Sequence, residues 1–368
     1  MTFIPTAAGY LPFLLLVLAV AAIFSLVLTP PIRRIAIRLD AVDRPGLRRV
    51  NTSPVPRGGG VAVAAAFVIV TLLALALIEA TRVVLVPASV QPPELVALLL
   101  GGVLAAAFGV IDDYFDLKAR WQFLGQLGLA LIAIACGITV DFIANPFGSS
   151  PPNILFPPLV AVLFTILWIA GMINAINFID GLDGLSSGIG LIAALTLGII
   201  SLTTQVAPFG QPFVAVLCFI LAGALLGFLR WNFHPAAIFA GTSGVMFLGY
   251  TLAVLSILGT AKVAIAMLVL GVPIIDAFWI IVRRLAQGRS PFSPDRGHLH
   301  HRLLDVGLSH RQTVLLIYGI CVGLALLALL LSGTTQLYAF IGVFFATGFI
   351  LFILARGGLE TDEPFDYE

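Results

Sequence analysis

Residues 10–29, YLPFLLLVLAVAAIFSLVLT, run for twenty positions without one charged side chain. About 20 apolar residues cross a bilayer core as a helix, so this stretch predicts a membrane span. No basic segment precedes it and no small-residue cleavage site follows, which favours a retained helix over a removed leader. Ten further apolar runs, bounded by charges, Pro or Gly, centre near residues 58–78, 95–111, 122–140, 158–176, 187–204, 212–229, 244–258, 263–282, 312–332 and 337–354. The run at 244–258 is short. Together they predict an all-α polytopic membrane protein of about eleven transmembrane helices. Residues 1–356 form one transmembrane domain in this reading, and 357–368 an acidic cytoplasmic tail.

Composition points the same way. Of 368 residues, 60% are hydrophobic and 10% charged, against about 25% charged in ordinary globular domains. Mean hydropathy is +1.11. A soluble body of this size could not cover its surface with so few charges, so the lipid bilayer is the expected surroundings. The net charge of +1 excludes bulk attraction to nucleic acid. Cys136, Cys218 and Cys321 fall in separate apolar runs, forming neither a disulfide framework nor a metal box.

Basic residues set the orientation. Arg33, Arg34, Arg38, Arg44, Arg48, Arg49 and Arg57 fill the first loop. Lys118, Arg120, Arg230, Arg283, Arg284, Arg289, Arg296, Arg302, Arg311 and Arg356 follow on the same side by parity. Only Arg82 and Lys262 fall opposite. The basic side is therefore expected in the cytoplasm, with the N-terminus outside and the C-terminus inside. Asp112, Asp113, Asp116, the 174–183 segment and all five histidines land on that side too.

Three segments there carry chemistry. The first, 109–117, reads GVIDDYFDL. Continued as helix, it stacks Asp116 over Asp112 and Asp113 at i+4 and i+3, against the negative end of the helix dipole. Lys118 and Arg120, or a bound divalent cation, would offset that cost; a solvated helix end is the plainer alternative. In the second, Asn174, Asn177, Asp180 and Asp183 recur every third residue. Each step turns back about 60° on a helix, so the four cannot share one face. Gly181 and Gly184 place the acids on a turn, where such oxygens suit Mg²⁺; a glycine turn with two capping acids is the alternative. The third, PDRGHLHHRLL at 294–304, holds His298, His300 and His301 among arginines. It suits anion binding or proton movement, or a basic loop against acidic headgroups.

Two weaker segments share the face. Residues 44–60 predict an irregular loop fixed by Pro54, Pro56 and three glycines, with Arg57 entering span two. Residues 232–244 bring Asn232 and Phe239 near the same place. Asp276, inside span nine, is expected to line the cleft.

Taken together, IDDYFDL, NAINFIDGLDGL and GHLHHRLL resemble the polyprenyl-phosphate N-acetylhexosamine-1-phosphate transferase family over roughly residues 40–310. Asp116 and the HLHH form resemble its GlcNAc branch. The resemblance implies that a polyprenyl phosphate attacks the β-phosphate of a UDP-N-acetylhexosamine, releasing UMP with Mg²⁺ (or Mn²⁺) as cofactor. Phosphoryl transfer rests on positioning and charge neutralisation, which this residue inventory suits. Carried over, Asp112, Asp113 and Asp183 are catalytic, and Asn177 and Asp183 hold the metal. Asn174, Asp180, Asn232, Phe239, Arg57, His298, His300 and His301 bind substrate, with Phe239 stacking on uracil. The site would face the cytoplasm from the inner membrane; a homodimer is compatible with the family. Two departures stand out: the family's metal aspartate is Thr242 here, and a common first-loop histidine is Asn51. Thr242 keeps open a catalytically silent binder of lipid phosphate or nucleotide. A secondary transporter fits less well, because its ionisable groups belong near mid-membrane.

Overall fold

The computed structural model describes residues 7–44, 54–81, 90–145, 147, 151, 153–203, 210–258, 263–288, 297–331 and 334–357. Arg48, Arg49, Asn51, Arg82, Lys262, Arg289, Arg296 and the acidic tail lie outside them. Among the described residues the chain is almost wholly helical. In order come α1 (Ala7–Arg38), β1 (Val42–Asp43), β2 (Val55–Pro56), α2 (Gly60–Thr81), α3 (Pro92–Phe115), α4 (Ala119–Ala135), β3 (Phe142–Ala144) and β4 (Asn153–Leu155). Then follow α5 (Pro158–Ile179), α6 (Leu185–Ser201), α7 (Pro212–Asn232), α8 (Gly241–Ile257), α9 (Val263–Val269), α10 (Gly271–Ala286), α11 (Leu299–Asp305), α12 (His310–Leu330) and α13 (Thr334–Gly357).

Each of the eleven apolar runs coincides with helix. By length and composition six of them (α1, α2, α3, α5, α7 and α12) suffice to cross a membrane, or seven if α9 and α10 form one span. The apolar helices α4, α6, α8 and Thr334–Phe349 are shorter. The protein is thus a multi-pass membrane protein. The straight ninth helix expected over 263–282 is instead two rods bent by 81°. Pro273 accounts for the break: it has no N–H to donate to the Val269 carbonyl, so the α9 ladder stops and a new helix starts at Gly271, with the proline in its first turn. A second difference is the pair of small antiparallel ribbons. Val42 and Asp43 pair with Pro56 and Val55 inside the loop expected to be irregular, and β3 pairs with β4.

Helix α7 is the hub. Its residues from Phe213 to Leu225 are buried without a break, with α1, α2 and α6 packed along it. Close approach is possible because small residues stand at the crossings. A Cβ on Gly223 or Gly227 would come within 2.2 or 2.0 Å of the Leu18 or Ala22 carbonyl oxygen of α1. Helix α8 is gripped likewise between α3 and α5: a Cβ on Gly109 would lie 2.3 Å from Ser243 Cα. These contacts bring the C-terminal ends of α3, α5 and α7 against the N-terminal ends of α2, α6 and α8.

Candidate active site

Those helix ends enclose a cavity of about 290 Å³. Eight of the residues singled out from sequence line it: Arg57, Asp113, Asn177, Asp180, Asp183, Asn232, Phe239 and His301. Asp43 and Thr242 line it as well. Asp112, Asn174, His298 and His300 stand behind the wall.

The acid pair is held differently from the three-carboxylate stack expected. Helix α3 stops at Phe115 and Asp116 turns left-handed (φ 46°), sending its side chain, 81% exposed, outward to Arg57 Nη1 at 3.0 Å. Asp112 folds back: its Oδ1 accepts Leu117 N–H (3.0 Å) and Gln122 Nε2–H (2.8 Å). Asp113 reaches across to α8, where Thr242 N–H (2.7 Å) and Ser243 N–H (3.1 Å) donate to its two oxygens. That carboxylate sits on the positive end of the α8 dipole, using donors that no preceding turn can satisfy. Repulsion within the triplet is relieved by backbone amides, Gln122 and Arg57, not by Lys118 and Arg120.

Arg57 ties the first loop to this end of α3. Its Nε donates to Asp43 Oδ1 at 2.9 Å and its Nη2 reaches the same oxygen. Burial works against its charge, yet the bonds to Asp43 and Asp116 outweigh that and hold its pKa above the ordinary arginine value. Strand β2 continues the connection, since Phe239 N–H donates to Pro56 C=O at 2.9 Å and Gly59 N–H to Phe239 C=O at 2.9 Å. Phe239 is thereby fixed at the rim.

The turn after α5 supplies the opposite wall. Asp180 caps α5 and accepts the Ser186 hydroxyl. Burial pushes its carboxyl up to about 7, the Ser186 bond opposing and the charges of Asp113 and Asp183 adding. Asp183 Oδ2 meets His234 Nδ1 at 2.7 Å and accepts Ala236 N–H at 3.0 Å. Asn174 turns away to α4, donating to Gln126 Oε1 (2.6 Å) and to Ala170 C=O (2.8 Å). Asn232 is engaged from both ends: Oδ1 accepts Ser187 Oγ–H at 2.8 Å, and Nδ2 donates to Ile238 C=O at 3.0 Å.

His300 is buried with both ring nitrogens unpartnered, against Gly181. Burial, and then the neighbouring His301, His298 and His310, drive its pKa well below the usual histidine value, so it is a neutral imidazole. Only His301 of this row reaches the cavity.

Two kinds of donor set could hold a cation. Carboxylate and amide oxygens of Asn177, Asp180 and Asp183 gather in the wall, the hard set Mg²⁺ prefers. Asp183, His234 and His310 also bring ligand atoms within 4.8 Å of one another. The two imidazoles, however, stack at 4.1 Å and 22°, so their in-plane lone pairs run side by side instead of converging. That trio is a stacked imidazole pair hydrogen-bonded to Asp183 through His234, bracing the carboxylate.

Sequence reasoning missed Asp43, His234 and His310. Asp43 sits in an ordinary-looking Val-Asp-Arg-Pro segment, and its pairing with Arg57 gives it a place. His234 lay inside the quoted 232–244 segment without a role, and His310 had no signal beyond its side of the membrane.

A family model described as Glycosyl transferase family 4 matches residues 95–260, from α3 through α8. The chain is 35% identical over 354 residues to a protein of Bacillus subtilis (strain 168) named probable undecaprenyl-phosphate N-acetylglucosaminyl 1-phosphate transferase, covering 94% of this chain and 93% of that one. It is 37% identical over 318 residues to the decaprenyl-phosphate N-acetylglucosaminephosphotransferase of Mycobacterium tuberculosis (strain ATCC 25618 / H37Rv), covering 81% and 77%. The undecaprenyl-phosphate alpha-N-acetylglucosaminyl 1-phosphate transferase of Yersinia pestis is 28% identical over 309 residues, covering 80% and 78%. A single likeness therefore runs through the transmembrane body and its polar cavity: the chain belongs to glycosyl transferase family 4.

Proposed function

We propose that this protein transfers N-acetylglucosamine 1-phosphate from UDP-N-acetylglucosamine to a polyprenyl phosphate, releasing UMP, as the first membrane step of a cell-envelope polysaccharide pathway. The observation that carries the reading is the meeting of Asp113, Asn177, Asp180, Asp183, Arg57 and His301 on one cavity. The names of the relatives support the sugar and the lipid acceptor. The one-sided distribution of basic residues supports eleven crossings, an outer N-terminus and a cavity on the cytoplasmic face of the cell membrane.

In the transfer, an oxygen of the lipid phosphate bonds to the donor's β-phosphorus. The bond from that phosphorus to the bridging oxygen breaks, and UMP leaves with it. Asp113 orients the lipid phosphate and takes its proton, while Asp112 locks the end of α3 so that Asp113 keeps its aim. Arg57 and the imidazole row, through His301, face the pyrophosphate, and Phe239 offers its ring to the base. Asn177 and Asp183, with Asp180 beside them, would hold Mg²⁺ or Mn²⁺, their amide and carboxylate oxygens lining one wall of the cavity. Bound there, such an ion supplies charge neutralisation for the phosphoryl group.

Purified protein given UDP-N-acetylglucosamine, undecaprenyl phosphate and Mg²⁺ is expected to release UMP. Absence of turnover with any UDP-N-acetylhexosamine would overturn the enzyme reading. Thr242 favours one second reading, a catalytically weak or silent binder, because a hydroxyl brings no charge where the resemblance puts an aspartate. Thr242→Asp separates the two. A large gain in turnover identifies a degenerate site, and a loss identifies a wall rebuilt around threonine.

A further inference from the structure

Asp276 is buried on α10, one turn past the bend, and both of its oxygens are engaged by the polar row that follows. Oδ2 lies 2.7 Å from His298 Nδ1, and Oδ1 accepts Leu299 N–H at 2.9 Å. His298 is the N-cap of α11, so one carboxylate both orients the capping imidazole and satisfies the first free amide of the helix. Asp276, Ile280 and Arg284 are buried at i, i+4 and i+8 along one stripe of α10. Arg284 lies over the Phe178 ring at 5.9 Å, and that ring packs on His298 at 5.5 Å. His298 in turn stacks on His300 (5.7 Å, 11°), and His300 meets His301 at 4.3 Å. A continuous path of packed rings thus connects Asp276 to the cavity wall.

We propose that Asp276 is a positioning residue: it fixes His298 in the tautomer protonated at Nδ1 and, through that ring, sets His300 and His301 against the cavity. A carboxylate only accepts, so the nitrogen facing it must carry the proton. A ring so held cannot flip, and the stack built on it inherits its orientation. This deepens the proposed transferase reading and rests on it for the effect on turnover, whereas the tautomer itself does not depend on that reading.

Two measurements test it. In wild-type protein labelled with ¹⁵N-histidine, the His298 resonance, assigned by its loss in His298→Gln, is expected to show a protonated Nδ1. The opposite tautomer overturns the proposal, even in a protein that never turns over. Asp276→Asn keeps an oxygen for Leu299 N–H but presents an amide donor to His298, forcing the proton to Nε2. It is expected to lower kcat about a hundredfold, in the manner of a wrong-tautomer variant, with donor KM and thermal midpoint near wild type. In the His298→Gln background the same change should cost less than about threefold, because coupled residues are not additive. An equal cost in both backgrounds overturns the proposal. Should Asp276→Asn fail to fold, the wild-type tautomer still decides.

Discussion

The carboxylate of Asp113 on α3 accepts the backbone N–H of Thr242 on α8 at 2.7 Å, two residues that lie 129 positions apart in the chain. One charge therefore caps a helix and forms part of the cavity wall. Replacing it touches both functions, and the substitutions can be chosen to separate them.

Asp113→Asn keeps the shape but has one oxygen for two backbone donors and no charge. Turnover measured by UMP release is expected to fall about a hundredfold or more, as for loss of a positioned acid–base group, with membrane insertion intact. Asp112→Asn is expected to fall comparably, because it removes the charge that strengthens the bonds from Leu117 N–H and Gln122 Nε2–H at the end of α3. Near-wild-type rates in both would remove the role proposed for the pair.

Arg57 and its two partners should respond unequally. Asp116 is largely exposed, and an exposed pair is worth at most about 1 kcal/mol, so Asp116→Asn should leave the thermal midpoint nearly unchanged. Arg57→Ala removes the guanidinium that bonds the buried Asp43 carboxylate and should destabilise clearly more, a loss that Arg57→Lys only partly restores because lysine lacks the fork that spans two acids. Equal midpoints for Asp116→Asn and Arg57→Ala would contradict this.

Asp180 gives a pH signature. Its carboxyl rises from 3.8 to about 7 on folding. Between those values the folded state keeps a proton that the unfolded chain has lost, so stability falls as pH rises through that window and levels off above it. In chelator-treated protein, thermal midpoints should decline from pH 5 to pH 8, and Asp180→Asn should flatten the decline. Divalent-cation affinity should run the other way, rising as Asp180 ionises. A flat wild-type profile refutes the assignment.

Packing offers a fourth check. Gly109 has no room for a Cβ beside Ser243, whereas nothing lies within 4 Å of one on Gly128. Gly109→Ala should cost about 1–3 kcal/mol and lower turnover by moving Asp113 off α8. Gly128→Ala should be neutral or slightly stabilising, because alanine favours helix. The thermal midpoints of the two variants, compared side by side, decide it.

What could be read from sequence follows physical range. Apolar runs identify helices because each span satisfies its own backbone, and the eleven runs are helices for that reason. The bend before Pro273 was legible in principle, but a continuous apolar run outweighed one proline. At the site, Asp113, Asn177, Asp180 and Asp183 were found because acids and amides at span ends are costly without a purpose. The partners were not: Asp113 with an α8 amide, Asp183 with His234, and Asp276 with His298 are tertiary pairings with no local pattern. Asp116 was misplaced because one left-handed residue ends α3, and such a residue other than glycine leaves little trace in sequence.

The seam between α1 and α7 bears on how the molecule is made. Helix α1 precedes α7 in the chain, and the grooves at Gly223 and Gly227 that receive it arrive only after α2 to α6 have been made. Until then the face of α1 that will meet α7 has only acyl chains or a chaperone for company, with α2 packed beside it. The face of α1 that meets α7 is consequently closed only once α7 is in place, and a chain truncated before α7 leaves that face permanently uncovered.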